Sequence, residues 1–355
     1  MQKHRKILVA PMNWGLGHAT RCIPVVKQVL CRGDEVVLAS DGRALDFLKK
    51  CFPQLEFIRL PSYHITYPVD GNMIRHFTRL IPKIFKTITE EHLLLKKIIS
   101  SHQIDAVISD NRFGMWTRKI PCAFITHQLK IKSPVLRGVV NGINKQFINK
   151  FNYCWVPDVE DANNLSGELS HGNMLINNVR FIGPLSRFGT REKRNDVKAK
   201  YDVLAIISGP EPQRSIFERI ILRQFARSNL RTIMLTGCPK EETHCQLKNI
   251  EIHSHLPDDK FLQILNQSDV IISRSGYSGI MDMAALGKKA ILIPTPGQPE
   301  QIYLAHYHAQ ARHYYSEAQE KFDLLKVLGR LSNFHGLRLT GQPEIIAKAL
   351  DDLLN

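Results

Sequence analysis

Between Val270 and Ala305 the chain sets out, in order, the residues that a phosphate-bearing ligand would need. An apolar run, Val270-Ile271-Ile272, passes through Arg274-Ser275-Gly276 into a helical pattern. Gly276 lets the backbone turn tightly, and the N–H groups that open a helix favour an anion. Ser275 and Ser278 add hydroxyls, and Arg274 adds a positive charge at the same end. Asp282 follows about two helical turns on, a reach suited to ribose hydroxyls. A second apolar run, Lys289 to Ile293, ends in a Pro/Gly turn, after which Glu300-Gln301 open another helix. This spacing predicts one half of a nucleotide-sugar site. A lone Gly-rich turn would fit any doubly wound domain, with Asp282 as a solvated helix residue.

A second group of residues could do acid–base chemistry. The first apolar run leads into Asn13-Trp14-Gly15-Leu16-Gly17-His18, where Gly15 and Gly17 allow a ligand close to the backbone. A dinucleotide fold would place a third Gly at position 20, which is Thr here. Its carboxylate about twenty residues further on has a counterpart in Asp41. His18 stands at a helix start, which disfavours a protonated imidazole and favours a neutral base. Asp110 follows the run Asp105-Ser109, so parallel pairing brings it to the same sheet edge as His18. A His whose second ring nitrogen is held by a carboxylate is the arrangement of a general base. The plainer reading has His18 capping its helix or packing under the turn.

Together these motifs resemble GT-B glycosyltransferases, most closely those that are MurG-like (glycosyltransferase family 28) and more distantly the UDP-glucosyl- and glucuronosyltransferases. The resemblance implies two Rossmann-like doubly wound α/β domains facing across a cleft, with a C-terminal helix crossing back to the first. It implies donor contacts from Arg274-Ser275-Gly276, from Asp282 in place of the usual Glu, and from Glu300-Gln301. Ser208-Gly209 and Arg214 stand where the family has a Gly-rich phosphate loop, with Pro210 and Pro212 removing backbone donors. Leu256 in His255-Leu256-Pro257 takes the base-contacting place. Gly15, Gly17 and His127 are the implied acceptor contacts, although a buried structural role suits His127 nearly as well. His18 and Asp110 match the catalytic pair of the plant-type branch. The expected donor is a nucleotide sugar, UDP-linked, and the expected acceptor a glycan or lipid-linked hydroxyl. No cofactor and no metal are expected. Cys238, His244, Cys245, His253 and His255 fit no standard zinc spacing, and helix ends with cationic groups can stabilise a leaving diphosphate.

The elements needed to position these residues are legible as alternation. Lys6-Ala10, Glu35-Ala39, Leu55-Arg59, Asp105-Ser109, Cys122-Thr126, Phe151-Val156 and Asn178-Ile182 read as strands. Helical patterns cover His18-Cys31, Arg43-Lys50 and 73–100, the last with Pro82 predicting a break. A second alternation starts at Val203-Ser208. It continues through helix 211–228, strand 231–235, helix 258–266 and strand 269–272, and Pro343-Leu354 forms a final helix. The expected domains are 1–183 for the acceptor, a linker at 184–200, 201–335 for the donor, and 336–355 for the crossover helix.

Bulk properties narrow the classes. A length of 355 residues suits two cores, and no apolar run spans a bilayer. Seven scattered cysteines, odd in number and without a C-x-x-C pair, fit free thiols in a reducing cytoplasm. The net charge of +15 is concentrated between residues 73 and 150, where Lys and Arg outnumber Asp and Glu. Apolar residues interleave with the charges over Met73 to Ser100. Such a segment suits an anionic membrane surface, which predicts a cytoplasmic protein peripheral on the inner face of the cell membrane. An RNA backbone is the competing partner, but the segment has few aromatic platforms, so no nucleic acid is expected. An inverting, metal-independent glycosyltransferase is the leading function. A nucleotide-sugar hydrolase or 2-epimerase of the same fold is the alternative, and a non-catalytic RNA-binding protein the second.

Overall fold

The computed structural model describes residues 4–63, 73–133, 136–172, 176–189, 199–237 and 244–355, excepting the side chains of 73–79. The chain divides into two compact units. The first runs to Gly189 and takes in Thr340–Asn355; the second comprises the described residues from 199 to Leu339. The sequence placed these boundaries at 183 and 336. Pro184–Gly189 instead belong to the first unit, because Gly341 lies so close to the Pro184 carbonyl that a Cβ there would collide with it. Residues 190–198 of the expected linker lie outside the described residues.

In the first unit the elements are β1 (Lys6–Pro11), α1 (Gly17–Cys31), β2 (Glu35–Ser40), α2 (Gly42–Cys51), β3 (Glu56–Arg59), α3 (Met73–His102), β4 (Ala106–Asp110), β5 (Cys122–Ile125), α4 (Arg137–Ile148), β6 (Tyr153–Val156) and β7 (Val179–Phe181). The strands pair in parallel in the order β3-β2-β1-β4-β5-β6-β7. β1, β2, β4 and β5 are buried nearly throughout, which is why their sequences are continuous apolar runs rather than alternating ones. Chain order reverses between β1 and β4. Such a switch point opens a crevice at the carboxyl ends of the strands, and Pro11 pairs with Asp110 at its floor. Pro82 does not break α3, which continues through 30 residues with the ring on the exposed side.

The second unit repeats the plan with β8 (Tyr201–Ile206), α5 (Gln213–Ala226), β9 (Thr232–Leu235), β10 (His244–Leu247), β11 (Ile250–His253), α6 (Asp258–Asn266), β12 (Ser268–Ser273), α7 (Tyr277–Leu286), β13 (Lys289–Leu292), α8 (Pro299–Gln310), β14 (Tyr315–Ser316) and α9 (Leu324–Leu328). Its order is β10-β11-β9-β8-β12-β13-β14, with only β10 antiparallel to its neighbour among the described strands. Here the switch point lies between β8 and β12, where Ile206 pairs with Ser273. Ser208-Gly209 and Arg274-Gly276 therefore leave the sheet side by side.

The final helix, α10 (Pro343–Leu354), belongs to the first unit and packs on α1. It buries Ile346, Ala349, Leu350, Leu353 and Leu354, and each Ile or Leu among them is worth about 1.5–3 kcal/mol when removed from water. Arg32 pairs with Asp351 at 2.5 Å, and Arg5 donates to the Leu354 carbonyl. Cys22, Cys31, Cys51, Cys122, Cys154 and Cys245 carry free thiols.

Candidate functional site

At the first switch point, Gly15 takes a left-handed φ of 73°, which a side chain would strain, and turns the chain into α1. Nothing lies within 4 Å of where its Cβ would stand, so the turn borders open space. At the start of that helix, His18 Nδ1 meets Asp110 Oδ1 at 2.8 Å. Arg21, three residues further along the same helical face, donates from Nε to Asp110 Oδ2 at 2.6 Å and from Nη2 to Oδ1. Arg21 Nη1 donates to His127 Nδ1 at 3.0 Å. Asp110 is fully buried and Arg21 is 1% exposed.

These contacts fix the protonation states. Burial alone favours the neutral acid, but the Arg21 guanidinium and His18 hold the Asp110 carboxyl far below the usual carboxylate range. The anion must therefore accept a proton donor from His18, which places the ring hydrogen on Nδ1. Arg21 Nη2 also lies 3.0 Å from that nitrogen, yet a protonated Nδ1 has no lone pair to offer, so Arg21 spends Nη2 on Asp110. Burial pushes the His18 pKa below 6.5, Arg21 pushes it the same way, and Asp110 opposes both. His18 is thus neutral at pH 7, with a lone pair on Nε2 that accepts no hydrogen bond among the described residues. His127 accepts from Arg21 and so carries its own proton on Nε2.

His127 is thus a buried member of this cluster. Arg21 escaped sequence reading, although its i+3 spacing from His18 was the available signal. Asp41, the one residue that kept a dinucleotide reading open, is buried and engaged. It accepts from the fully buried Arg112 and from Asn13 Nδ2 at 3.0 Å. Arg112 also holds Glu91 at 2.5 Å and the Pro11 and Pro61 carbonyls. Asp41 therefore braces the sheet edge and is not available to a ribose.

At the second switch point, α7 starts at Tyr277 with Gly276 as its N-cap and no side chain capping it. Open space surrounds the Cβ position of Gly276, and Ser278 is half-buried in the first turn. Ser275 Oγ donates to the Gln301 carbonyl at 2.8 Å, while Gln301 Oε1 accepts from Thr295 N at 2.8 Å. The starts of α7 and α8 and the 294–298 turn are thereby tied together. Gly209, at φ 115°, lies against Thr295 Oγ1, and Ser208 beside it is exposed. Asp282 lies half-buried within α7, Glu300 in the first turn of α8, and Leu256 in the segment between β11 and α6.

Both expected phosphate cations are engaged elsewhere. Arg274 is 3% exposed and stacks over Phe217 at 4.1 Å. Its guanidinium donates to the carbonyls of Ile293, Pro294 and Gln213 and to Gln319 Oε1. Burial pulls its pKa down to about 10. It is a structural staple between strand ends, because it leaves the sheet toward the carbonyl edge of β13 rather than toward the helix. Arg214 donates to Glu211 at 2.6 Å, to Glu218 at 2.7 Å and to the Thr236 carbonyl. Its charge is neutralised locally. An anion at this place would instead meet the α7 helix end and the hydroxyls of Ser208 and Ser278. Thr295 Oγ1 and Gln298 Oε1, both buried without a hydrogen-bond partner among the described residues, are further polar groups at this crevice that the sequence reading passed over.

The two crevices have the geometry of a GT-B enzyme, and comparison with known proteins agrees. Structures of the kitacinnamycin glycotransferase (14% identity, TM-score 0.65, 99% of this chain and all of that one) and of Acinetobacter baumannii MurG (13%, TM-score 0.54, 99% and 91%) share the fold. An uncharacterized glycosyltransferase of Methanosarcina mazei is 23% identical over 83% of this chain and 82% of its own. The UDP-N-acetylglucosamine--N-acetylmuramyl-(pentapeptide) pyrophosphoryl-undecaprenol N-acetylglucosamine transferase of Listeria monocytogenes is 24% identical over 73% and 76%. The protein is a glycosyltransferase of the GT-B fold. Residues 210–333 match the glycosyltransferase family 28 C-terminal domain.

Proposed function

We propose that this glycosyltransferase moves a sugar, with inversion and without a catalytic metal, from a UDP-sugar to a hydroxyl on a lipid-linked acceptor. The observation that carries the reading is His18, neutral and oriented by Asp110 and Arg21, with Nε2 left as a base. Nε2 takes the acceptor hydroxyl's proton, that oxygen bonds to the anomeric carbon, and the bond from that carbon to the diphosphate breaks. The leaving diphosphate settles at the α7 N-terminus, where helix-end N–H groups compensate its charge. One base and one displacement give inversion. The Listeria relative's printed name supports UDP-N-acetylglucosamine as the first donor to try.

A membrane-borne acceptor is favoured by the surface of the first unit. Ile81 (47% exposed) and Phe85 (44%) project from α3 beside exposed Lys83 and Lys86. Leu136, Val139 and Ile143 are exposed along α4, with Arg137 among them. The helices adjoin, since Phe85 and Phe147 approach to 6.0 Å between ring centres. Apolar side chains framed by cations suit an anionic bilayer surface, each cation adding about 1 kcal/mol there. Arg75 and Arg79, in the basic segment that opens α3, have side chains outside the described residues. No helix among the described residues is long and apolar enough to cross a membrane. An RNA-binding protein without catalysis is set aside by the family match.

The test is diphosphate release from a panel of UDP-, TDP-, ADP- and GDP-sugars, with and without anionic vesicles carrying a lipid-phosphate acceptor. Release that needs both a UDP-sugar and the lipid supports the proposal. Equal release without any acceptor would make the protein a hydrolase or epimerase.

A further inference from the structure

The β10–β11 hairpin gathers three metal-ligating side chains that the transfer chemistry does not use. His244 is the cross-strand partner of His253, and Glu251 lies two residues before His253 on the same face. The two imidazoles stack at 4.5 Å with 19° between their planes. Both Nε2 atoms turn to one oxygen, Glu251 Oε1, at 2.7 Å from His253 and 3.9 Å from His244. All three ligand atoms lie within 4.8 Å of one another.

We propose that this hairpin binds one divalent transition-metal ion of the zinc class through His244 Nε2, His253 Nε2 and Glu251 Oε1. Two stacked imidazoles repel when both are protonated, whereas a cation between their Nε2 atoms and a carboxylate satisfies all three. Imidazole and carboxylate together are borderline donors that suit zinc, cobalt or nickel better than calcium or magnesium. Zinc bonds to these atoms are about 2.0–2.2 Å long, which puts tetrahedral ligands roughly 3.3 Å apart. His244 is 64% exposed at its side chain and free to swing the remaining distance, while His253 and Glu251 are largely enclosed. The carboxylate is already aimed, since Tyr201 donates to Oε2 at 2.5 Å and leaves Oε1 facing the imidazoles. That is the outer-shell hydrogen bond that metal-binding carboxylates use. Cys245 follows His244 and so points to the opposite face, which leaves water for the fourth position.

The sequence alone did not show this set because its third member is Glu251, not a cysteine, and because strand pairing rather than spacing joins it. All four residues of β10 are exposed, so this edge strand has little apolar burial to hold it. A metal would clip it to β11, which runs directly into the Ser254–Pro257 segment.

Cobalt(II) titration of the metal-stripped full chain, followed by its visible d–d absorption and competed by zinc, tests the proposal. One cobalt should bind per chain and be displaced by zinc. His244→Ala, at an exposed position, should abolish the absorption, as should His253→Ala. Tyr201→Phe should weaken binding by about 10- to 100-fold, and Cys245→Ser should leave it unchanged. Absence of stoichiometric binding, its survival in His244→Ala, or its loss in Cys245→Ser would overturn the assignment.

Discussion

Arg21 and Asp110 are predicted to move the acid limb of the pH–rate profile in opposite directions. In the folded protein burial and Arg21 lower the His18 pKa below 6.5, and Asp110 raises it. In Arg21→Met the lowering charge is gone, and Asp110, still fully buried, has only His18 left to compensate it among the charged groups it now contacts. The His18 pKa must rise, so the neutral, base-competent imidazole appears only at higher pH and the acid limb shifts up. In Asp110→Asn the raising charge is gone while burial and Arg21 remain, so the limb shifts down. Each substitution also leaves a buried charge without its partner, which costs about 3–5 kcal/mol. For a unit of this size that lowers Tm by roughly 6–20 °C, so rates are to be taken well below the unfolding range. The double variant Arg21→Met, Asp110→Leu should recover much of the stability but not the rate. The assay is diphosphate release, read as kcat/KM against pH. Limbs that move together, or stay fixed in both variants, would show that His18 is not the titrating base.

At the second switch point, UDP should raise Tm more than ADP or GDP does. Saturation at a hundred times Kd corresponds to about 2.7 kcal/mol. Gly276→Ala should leave the unliganded protein's stability within about 0.5 kcal/mol, because its Cβ meets nothing, yet abolish the UDP shift by occupying the phosphate's space. Arg274→Met should instead lower the stability of the second unit. It strips donors from three carbonyls and Gln319, at about 1–3 kcal/mol for each buried acceptor left unpaired. A stable Arg274→Met variant that no longer binds UDP would return the phosphate role to this cation. In co-sedimentation, anionic but not neutral vesicles should take down the protein at low salt, and replacing Lys83, Lys86 and Arg137 with Gln should reduce this. Protein that remains in the supernatant would point to a soluble acceptor.

Much of this architecture could be read from sequence because buried parallel strands are uninterrupted apolar runs, and β1, β4, β8 and β12 all show them. The positions of His18 and Asp110 followed from the same fact, since strand ends in a parallel sheet share an edge. Side-chain direction was not legible. Arg274 was correctly placed at the end of a strand, but nothing in its neighbours revealed that its guanidinium turns back to carbonyls. Arg21 was hidden for the opposite reason, since an Arg in a basic chain draws no notice until Asp110 stands against it. α4 escaped because Gly138, Gly142 and two Asn weaken its helical pattern. The β10–β11 hairpin escaped because His244-Cys245-Gln246-Leu247 is exposed on both faces and shows no alternation.

The most direct test of the account compares turnover and nucleotide affinity in His18→Ala. Asp110 keeps both bonds to Arg21, so the fold should lose only about 1 kcal/mol, the net worth of one hydrogen bond. The donor groups lie in the second unit and are untouched. Diphosphate release should fall by about 100- to 10,000-fold, while UDP binding measured by calorimetry stays as in the unaltered protein. A variant that keeps its rate, or that loses UDP affinity instead, would contradict the assignment of His18 as the base.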